Sequence, residues 1–394
     1  MTLRGYLRSL VTPGNAVVAA ILCVGFPITI LRFTQGLERV SNLSNDYPWG
    51  LWVGFDVLCG VALAAGGFCL AATVHIFHMH QYEAIVRPAI LTGFLGYFFV
   101  AVGLLLDLGR PWRLPYPLFV SHGTTSVMFE VAWCVAMYLT VLFLEFSPAL
   151  FVWLGWEKLR RWVARLTFML AILGVVLSTL HQSALGGLFL VAANKLHPLW
   201  YSIYIPAFFL VSAMAAGVSM VIFEGWLSHR IFASRLGTGP HHNFDQLTLG
   251  LAKASAIILF TYFCLKWIGV AHDNRWAYLW SGFGALFLVE LLGFVLAPAI
   301  LYTVAVKRRS VTLARIAAVW AVLGVVLNRL NVSLFAYNWQ FPERYVPHWM
   351  EIAISITLVT IGLMTFRFIV NRMPILNAEA EDKAHAIHPF RRAA

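Results

Sequence analysis

A chain of 394 residues that is 60% hydrophobic and only 11% charged is too apolar for a soluble globular domain, in which about a quarter of residues are charged. Its formal net charge of +11 would suit nucleic acid. The basic residues, however, lie in short loops between apolar runs, with no aromatic-interleaved soluble face, so no nucleic-acid partner is expected. The runs are about 20 residues long, not alternating segments of about 10, which points to an all-α integral membrane protein rather than a membrane barrel.

In residues 1–15, Leu3, Tyr6, Leu7 and Leu10 fall at helical spacing with Arg4 and Arg8 between them, the pattern of an interfacial amphipathic segment. A ten-helix transmembrane domain is expected over 16–375, its helices gathered in bundles. The spans are predicted at 16–36, 51–75, 89–107, 126–146, 165–186, 203–227, 248–270, 277–304, 311–330 and 349–371. The first run is longer than the core of a signal peptide and lacks a small-residue cleavage pattern, so it is read as a span. Residues 376–394, Ala-rich and charged, read as a disordered tail.

Alternate loops differ in Lys and Arg. One set holds Arg87, Lys158, Arg160, Arg161, Arg165, Arg230, Arg235, Lys307, Arg308, Arg309 and Arg315 with both terminal segments; the other holds only Arg39, Arg110, Arg113, Lys195, Arg275, Arg329 and Arg344. The richer side is expected to be cytoplasmic, with both termini there. No connection exceeds about 20 residues, so a redox centre would come from a partner. The five cysteines, Cys23, Cys59, Cys69, Cys134 and Cys264, lie inside apolar runs without a CxxC pair. Neither an iron–sulfur cluster nor another metal site is expected on this chain. Two histidines facing each other at one depth within helices are not evident either, so no haem is expected.

The informative residues are acids in apolar runs, because a carboxylate within a bilayer costs about 3 kcal/mol or more and is a functional-site candidate. Counting helix rise from the outer ends, Asp56, Asp107, Glu130, His181, Gln182, Lys266 and Arg32 share one level. Together they suggest a single polar pocket open toward the outer leaflet. Tyr97 and Glu290 lie near mid-membrane, and Glu145 and Glu224 near the inner ends, as a ladder for protons. Each has a plainer reading. Asp107 with Arg110 suits an ordinary i,i+3 pair, and Lys266 and Arg32 suit snorkelling cations. The same acids would also serve a proton-coupled solute transporter.

The segments DYPWGLWVGFDVLCGVALAAGG (46–67), VRPAILTGFLGY (86–97), DLGRPWRLPY (107–116), SVMFEVAWC (126–134), LSTLHQSALGGL (177–188), KLHPLWYS (195–202) and VIFEG (221–225) resemble the polysulfide reductase NrfD family. Within it they are most similar to the HybB branch, membrane subunits of periplasm-facing nickel–iron hydrogenases. The resemblance implies an NrfD-like core over about 16–304 with extra C-terminal helices at 311–371, in the bacterial inner membrane. It implies a quinone-reactive subunit, with menaquinone or ubiquinone as bound substrate. Electrons would come from a periplasmic ferredoxin-like iron–sulfur subunit fed by the hydrogenase large and small subunits, and proton movement across the membrane would be a possible accompaniment. The family's intramembrane acid and histidine fall on Glu130 and His181, its mid-helix tyrosine on Tyr97 and its inner acid on Glu224. Glu130 and His181 are then the expected catalytic pair. Asp56, Asp107, Arg110, Trp112 and Gln182 are expected around the quinone, and Tyr97, Glu224 and Glu290 on a proton path. A subunit of a different oxidoreductase is the remaining alternative.

Overall fold

Where lipid replaces water, every backbone N–H and C=O must be paired within its own segment, which for apolar runs of this length means helix. The computed structural model describes residues 12–232 and 244–376. The tail from 377 and all but the last four residues of the expected interfacial segment lie outside the described residues. Among the described residues, ten helices are long and apolar enough to cross a membrane: α1 (Pro13–Gln35), α2 (Trp52–Ile76), α3 (His80–Asp107), α4 (Val127–Leu154), α5 (Thr167–Val191), α6 (Ile205–Ile231), α7 (Phe244–His272), α8 (Gly282–Lys307), α9 (Val311–Phe335) and α10 (Trp349–Arg372). Among the described residues there is no strand, only an isolated antiparallel bridge between Leu196 and Tyr337.

Local signals set the ends. Thr12 accepts from the Asn15 N–H with Pro13 in the first turn of α1, and Ser281 and Ser310 cap α8 and α9 in the same way. Gly155, in the left-handed region at φ 73°, ends α4. Several predicted ends move outward, that of α9 from 330 to Phe335 among them. α3 begins at His80 rather than 89, α4 continues through Pro148 to Leu154 rather than 146, and α5 runs to Val191 rather than 186. In α5 the Gly186–Gly187 pair reads as a break in sequence but is a helix contact. A Cβ on Gly186 would sit 2.7 Å from the Ile205 carbonyl oxygen of α6.

Successive helices alternate in direction. The connections 36–51, 108–126, 192–204, 273–281 and 336–348 therefore gather at one end, termed the upper end, and the connections 77–79, 155–166 and 308–310 at the lower end. Helices α2–α5 close into one four-helix bundle and α6–α9 into a second, while α1 and α10 pair with each other outside and lean on α3. The bundles meet chiefly where α6 packs against α2 and α5. There Gly66 and Gly217 bring two backbones together: a Cβ on Gly217 would stand 2.4 Å from the Gly66 nitrogen, and one on Gly66 2.8 Å from the Gly217 oxygen. Small residues permitting such an approach are the usual device for helix association in lipid. α1 is fastened by Arg32, only 2% exposed, which donates from Nε to the Leu106 oxygen at 2.6 Å and from Nη2 to the Leu108 oxygen. The side chain thereby satisfies carbonyls that the last turn of α3 leaves without helical partners.

Gly217→Val is expected to lose about 1–3 kcal/mol by overpacking, read as a lower melting temperature in detergent. Gly293→Ala, where a Cβ meets nothing within 4 Å, is expected to leave the melting temperature within about a degree of the parent's.

Candidate functional site

The residues expected in one outer pocket are distributed over three polar clusters. The first lies at the upper end, where α1, α2, α3 and α10 converge. Asp56 sits in a π-helical turn of α2, Trp52–Cys59, and accepts from the Ser355 hydroxyl of α10 at 2.7 Å. Wide turns of this kind re-aim side chains and recur at functional sites. Asp107 closes α3 with its Oδ1 buried and unpartnered among the described residues. Its neighbouring charges are Arg32, Glu351 and Asp56. Glu351, wholly buried, accepts from the backbone N–H groups of Asn42 at 2.9 Å and His348 at 3.0 Å and from the Tyr345 hydroxyl. It ties the 36–51 connection to the start of α10. Arg110 and Trp112 do not join this cluster. Both are exposed on the 108–126 connection, Trp112 at 68%, and among the described residues no ion pair links Arg110 to Asp107.

The second cluster lies in the middle of the α2–α5 bundle. Because α5 runs on to Val191, His181 and Gln182 lie ten and nine residues below its upper end, about 15 Å down, and not at the outer level predicted for them. Gln182 Nε2 donates to the Val61 oxygen of α2 at 3.0 Å and to the Tyr97 hydroxyl of α3 at 3.4 Å. The Tyr97 ring stands edge-on to Tyr138 of α4 at 4.6 Å and 5.5 Å from the His181 ring. Tyr97, Tyr138, Ser178 and His181 are each fully buried. Both ring nitrogens of His181 have no hydrogen-bond partner among the described residues, and the Tyr138 hydroxyl has none of ordinary geometry, lying only beside the Ser178 hydroxyl. Leaving such groups bare costs about 1–3 kcal/mol each, so their retention points to use, as proton-exchanging groups or as partners for a polar ligand.

Glu130 departs furthest from expectation. It is exposed in the first turn of α4 and meets no buried base on another helix. It stands above the second cluster on one stripe of its own helix, since Glu130, Cys134 and Tyr138 follow each other at i, i+4 and i+8. Glu145, two turns below Tyr138, continues the same line. Glu224 lies near the lower end of α6, its Oε1 buried and unpartnered, lining a cavity with Pro88, Ser228, His229 and Phe244.

The third cluster is in the upper half of the α6–α9 bundle, so Glu290 and Lys266 belong to a different bundle from His181. Glu290, wholly buried in a second π-helical turn, accepts from Trp200 Nε1 at 2.8 Å, Asn328 Nδ2 at 2.6 Å and Asn331 Nδ2 at 2.5 Å. Arg329 donates to Asn328 Oδ1 at 2.8 Å, the Phe209 oxygen at 3.0 Å and the Ser212 hydroxyl at 2.9 Å, its guanidinium 3.8 Å from the centre of the Phe209 ring. Lys266 does not snorkel. It is 3% exposed, its amine between the faces of Phe208 and Phe287. Sequence reading missed Tyr138, Ser178, Asn328 and Asn331, and it counted Arg329 as a flank. The available signals were the i+8 spacing from Glu130 and the run Asn328-Arg329-Leu330-Asn331 inside an apolar span.

Above this bundle His197, 1% exposed, stacks on Phe283 at 4.6 Å and meets Trp200 and Trp339 edge-on. Burial pushes its imidazole down to about 4. The unfolded chain, with an ordinary histidine near 6.5, then binds the extra proton between these values. Stability should hold above about pH 6.5 and fall as pH drops toward 4, by up to about 3 kcal/mol. In thermal denaturation across that window, His197→Phe is expected to flatten this part of the slope.

Comparison with known proteins bears on these clusters. A family model described as "Polysulphide reductase, NrfD" matches residues 39–339. A protein of Nitratidesulfovibrio vulgaris (Hildenborough) is 54% identical over 379 residues, covering 94% of this chain and 96% of its own length. The "Probable Ni/Fe-hydrogenase 2 b-type cytochrome subunit" of Escherichia coli K12 is 35% identical, covering 89% of this chain and 88% of its own. The "Menaquinone reductase, integral membrane subunit" of N. vulgaris is 26% identical, covering 87% and 86%.

The E. coli name corrects one expectation. A relative called a b-type cytochrome subunit overturns the exclusion of haem drawn from the histidine pattern. The two fully buried histidines, His181 and His197, lie in separate ring clusters, and neither makes a ring contact with a second imidazole among the described residues. That arrangement does not supply the facing pair of axial ligands that bis-histidine haem takes, and no step below runs through haem.

Proposed function

Because the chain belongs to the polysulphide reductase NrfD family, with relatives named as subunits of a hydrogenase and of a menaquinone reductase, we propose that it is the quinone-reactive membrane subunit of an oxidoreductase complex. The observation that carries this reading is the mid-bundle cluster: a wholly buried His181 with both nitrogens unpartnered, beside Tyr97, Tyr138 and Gln182 and beneath the exposed Glu130.

Reduction of a quinone takes two electrons and two protons. The electrons come from an iron–sulfur subunit docked on the upper face, where Arg110, Arg113 and Trp112 are exposed. The identity to the E. coli subunit favours a nickel–iron hydrogenase as the enzyme behind it. The quinone, menaquinone or ubiquinone, reaches Glu130 laterally from the lipid, since α4 is among the least buried spans. Glu130 delivers a proton at the ring and is replenished along its stripe from Tyr138, Tyr97 and His181. Gln182 holds the Tyr97 hydroxyl in place. Asp56 and Asp107 form the upper wall, and Glu224, with Thr92 beside it, is the lower entry. Replenishment from that lower end makes turnover electrogenic. The lower end and both termini face the cytoplasm of a bacterium and the upper end faces outside, a reading that the Lys and Arg asymmetry of the loops supports.

In the intact complex, Glu130→Gln is expected to lower hydrogen-to-quinone activity about a hundredfold, within the usual range for a lost general acid, while hydrogen-to-dye activity stays within twofold. Equal loss of both activities overturns a quinone role. His181→Phe, which fills the same space without a protonatable nitrogen, is expected to reduce quinone activity at least tenfold with no loss of the assembled complex on a native gel.

A further inference from the structure

The α6–α9 bundle contains a line of hydroxyls that the scheme above leaves unused. On α7, Thr248, Ser255 and Tyr262 recur at intervals of seven residues and so lie on one face of the helix. They are 0%, 0% and 2% exposed. The hydroxyls of Thr248 and Tyr262 have no hydrogen-bond partner among the described residues, and that of Ser255 has none of ordinary geometry, lying only against the Tyr302 hydroxyl. One such group is ordinary; three in register, spaced about 10 Å apart along the axis, form a file. Side chains on neighbouring helices flank it: Tyr302 of α8 donates to the Ser219 hydroxyl of α6 at 2.8 Å and stands beside Ser255.

The file has two distinct ends. At the lower end, one turn before Thr248, Asp245 is exposed and pairs with Arg315 of α9 at 2.9 Å. A carboxylate there faces the solution at the mouth of the bundle. At the upper end, one turn past Tyr262, is Lys266, with Glu290 and Arg329 as the charges nearest to both residues. Glu290 is fully occupied by three neutral donors, and Arg329 by Asn328, Ser212 and a backbone oxygen. Lys266 makes no ion pair or hydrogen bond among the described residues. A buried cation without an anion is costly, and buried hydroxyls without partners are ordinarily satisfied by water, about three hydrogen bonds to each molecule.

We infer that the face of α7 bearing Thr248, Ser255 and Tyr262 lines a second proton route, a file of water and hydroxyl groups running from Asp245 to the Lys266–Glu290 site, separate from the groups that serve the quinone. Each hydroxyl accepts a hydrogen bond from the water below it and donates to the water above, so a proton entering at Asp245 is passed on without any bond to carbon forming or breaking. Lys266, which makes no ion pair or hydrogen bond of its own among the described residues, is the group at its end that holds a proton, with the Glu290 carboxylate as the charge beside it. The route rests on the quinone reading only for what drives it; hydration of the bundle does not depend on turnover.

Two measurements separate the ideas. In hydroxyl-radical footprinting of the complete complex at rest, Tyr262 should be modified despite its burial, at least fivefold faster than the slightly more exposed Tyr47, whose hydroxyl is hydrogen-bonded to backbone oxygens. Ser255→Leu, which fills the space a water would take, should abolish the modification, and Ser255→Ala should keep it. An unmodified Tyr262 in the parent protein overturns the inference whatever the complex does with quinone. In vesicles with a trapped pH dye, Ser255→Leu and Tyr262→Phe should lower proton movement per quinol formed to the two protons that quinone reduction itself takes from the lower end, while quinol formation under uncoupler stays within twofold. Unchanged proton movement, or a parent complex that moves no more than those two, overturns the route while leaving the quinone role standing. Loss of quinol formation in the parent sinks the quinone role instead, with the footprint still deciding the water file.

Discussion

Two glycine backbones in contact fix the relation between the halves of this molecule. At Gly66 and Gly217 there is no room for a single added carbon on either helix, so α2 and α6 cross at the closest approach the chain allows. In lipid no hydrophobic force draws helices together, and packing of this closeness takes its place. Each four-helix bundle can then keep its own polar interior, because the crossing is made by backbone and small residues rather than by side chains from either polar set. His181 and Glu290 belong to different interiors for this reason.

The two interiors share a plan. In each, the second helix supplies a buried tyrosine ten residues below its upper end: Tyr97 before Asp107 in α3, Tyr262 before His272 in α7. In each, the fourth helix supplies the strongest polar partners, His181 and Gln182 from α5 and Asn328 and Arg329 from α9. The charges differ. The α2–α5 cluster holds an imidazole, an amide and hydroxyls beneath a rim carboxylate, whereas the α6–α9 cluster holds a carboxyl group, a guanidinium and an amine. The first suits a neutral, lipid-borne partner entering from the side; the second suits small charged species moving along the axis.

Much of the architecture was legible in the sequence because the bilayer imposes a length. Ten apolar runs became ten helices, and the acids within them became the polar clusters. Depth along a single helix was the weak step. It was counted from predicted ends, and those of α3, α4 and α5 fell short beside Pro88, Pro148 and Gly186–Gly187. Extending α5 by five residues, through Gly186 and Gly187, moved His181 from the rim to mid-bundle. Rotation about the axis was not legible at all. Glu130 looked like an acid that had to face another helix, yet it faces outward, and Lys266, read as a snorkelling cation, points inward between the faces of Phe208 and Phe287. Which neighbour a side chain meets is decided by helix-to-helix packing, which hydropathy does not encode. The haem question shows a further limit, since a histidine count within one chain left out what a relative's name brings.

The π-helical turns at Trp52–Cys59, Val289–Leu296 and Asn331–Phe335 each hold one residue more than an α-helix of the same rise would need. Asp56, Glu290 and Asn331 all stand in them. Removing that extra residue would let the helix close into ordinary α geometry while turning everything on one side of it by about 100° relative to the other. Related chains are therefore free to lose or gain single residues at these three places without breaking a span, and such changes would rotate an acid or amide out of its cluster at a stroke. Length variation of one residue among relatives here would mark altered chemistry rather than neutral drift.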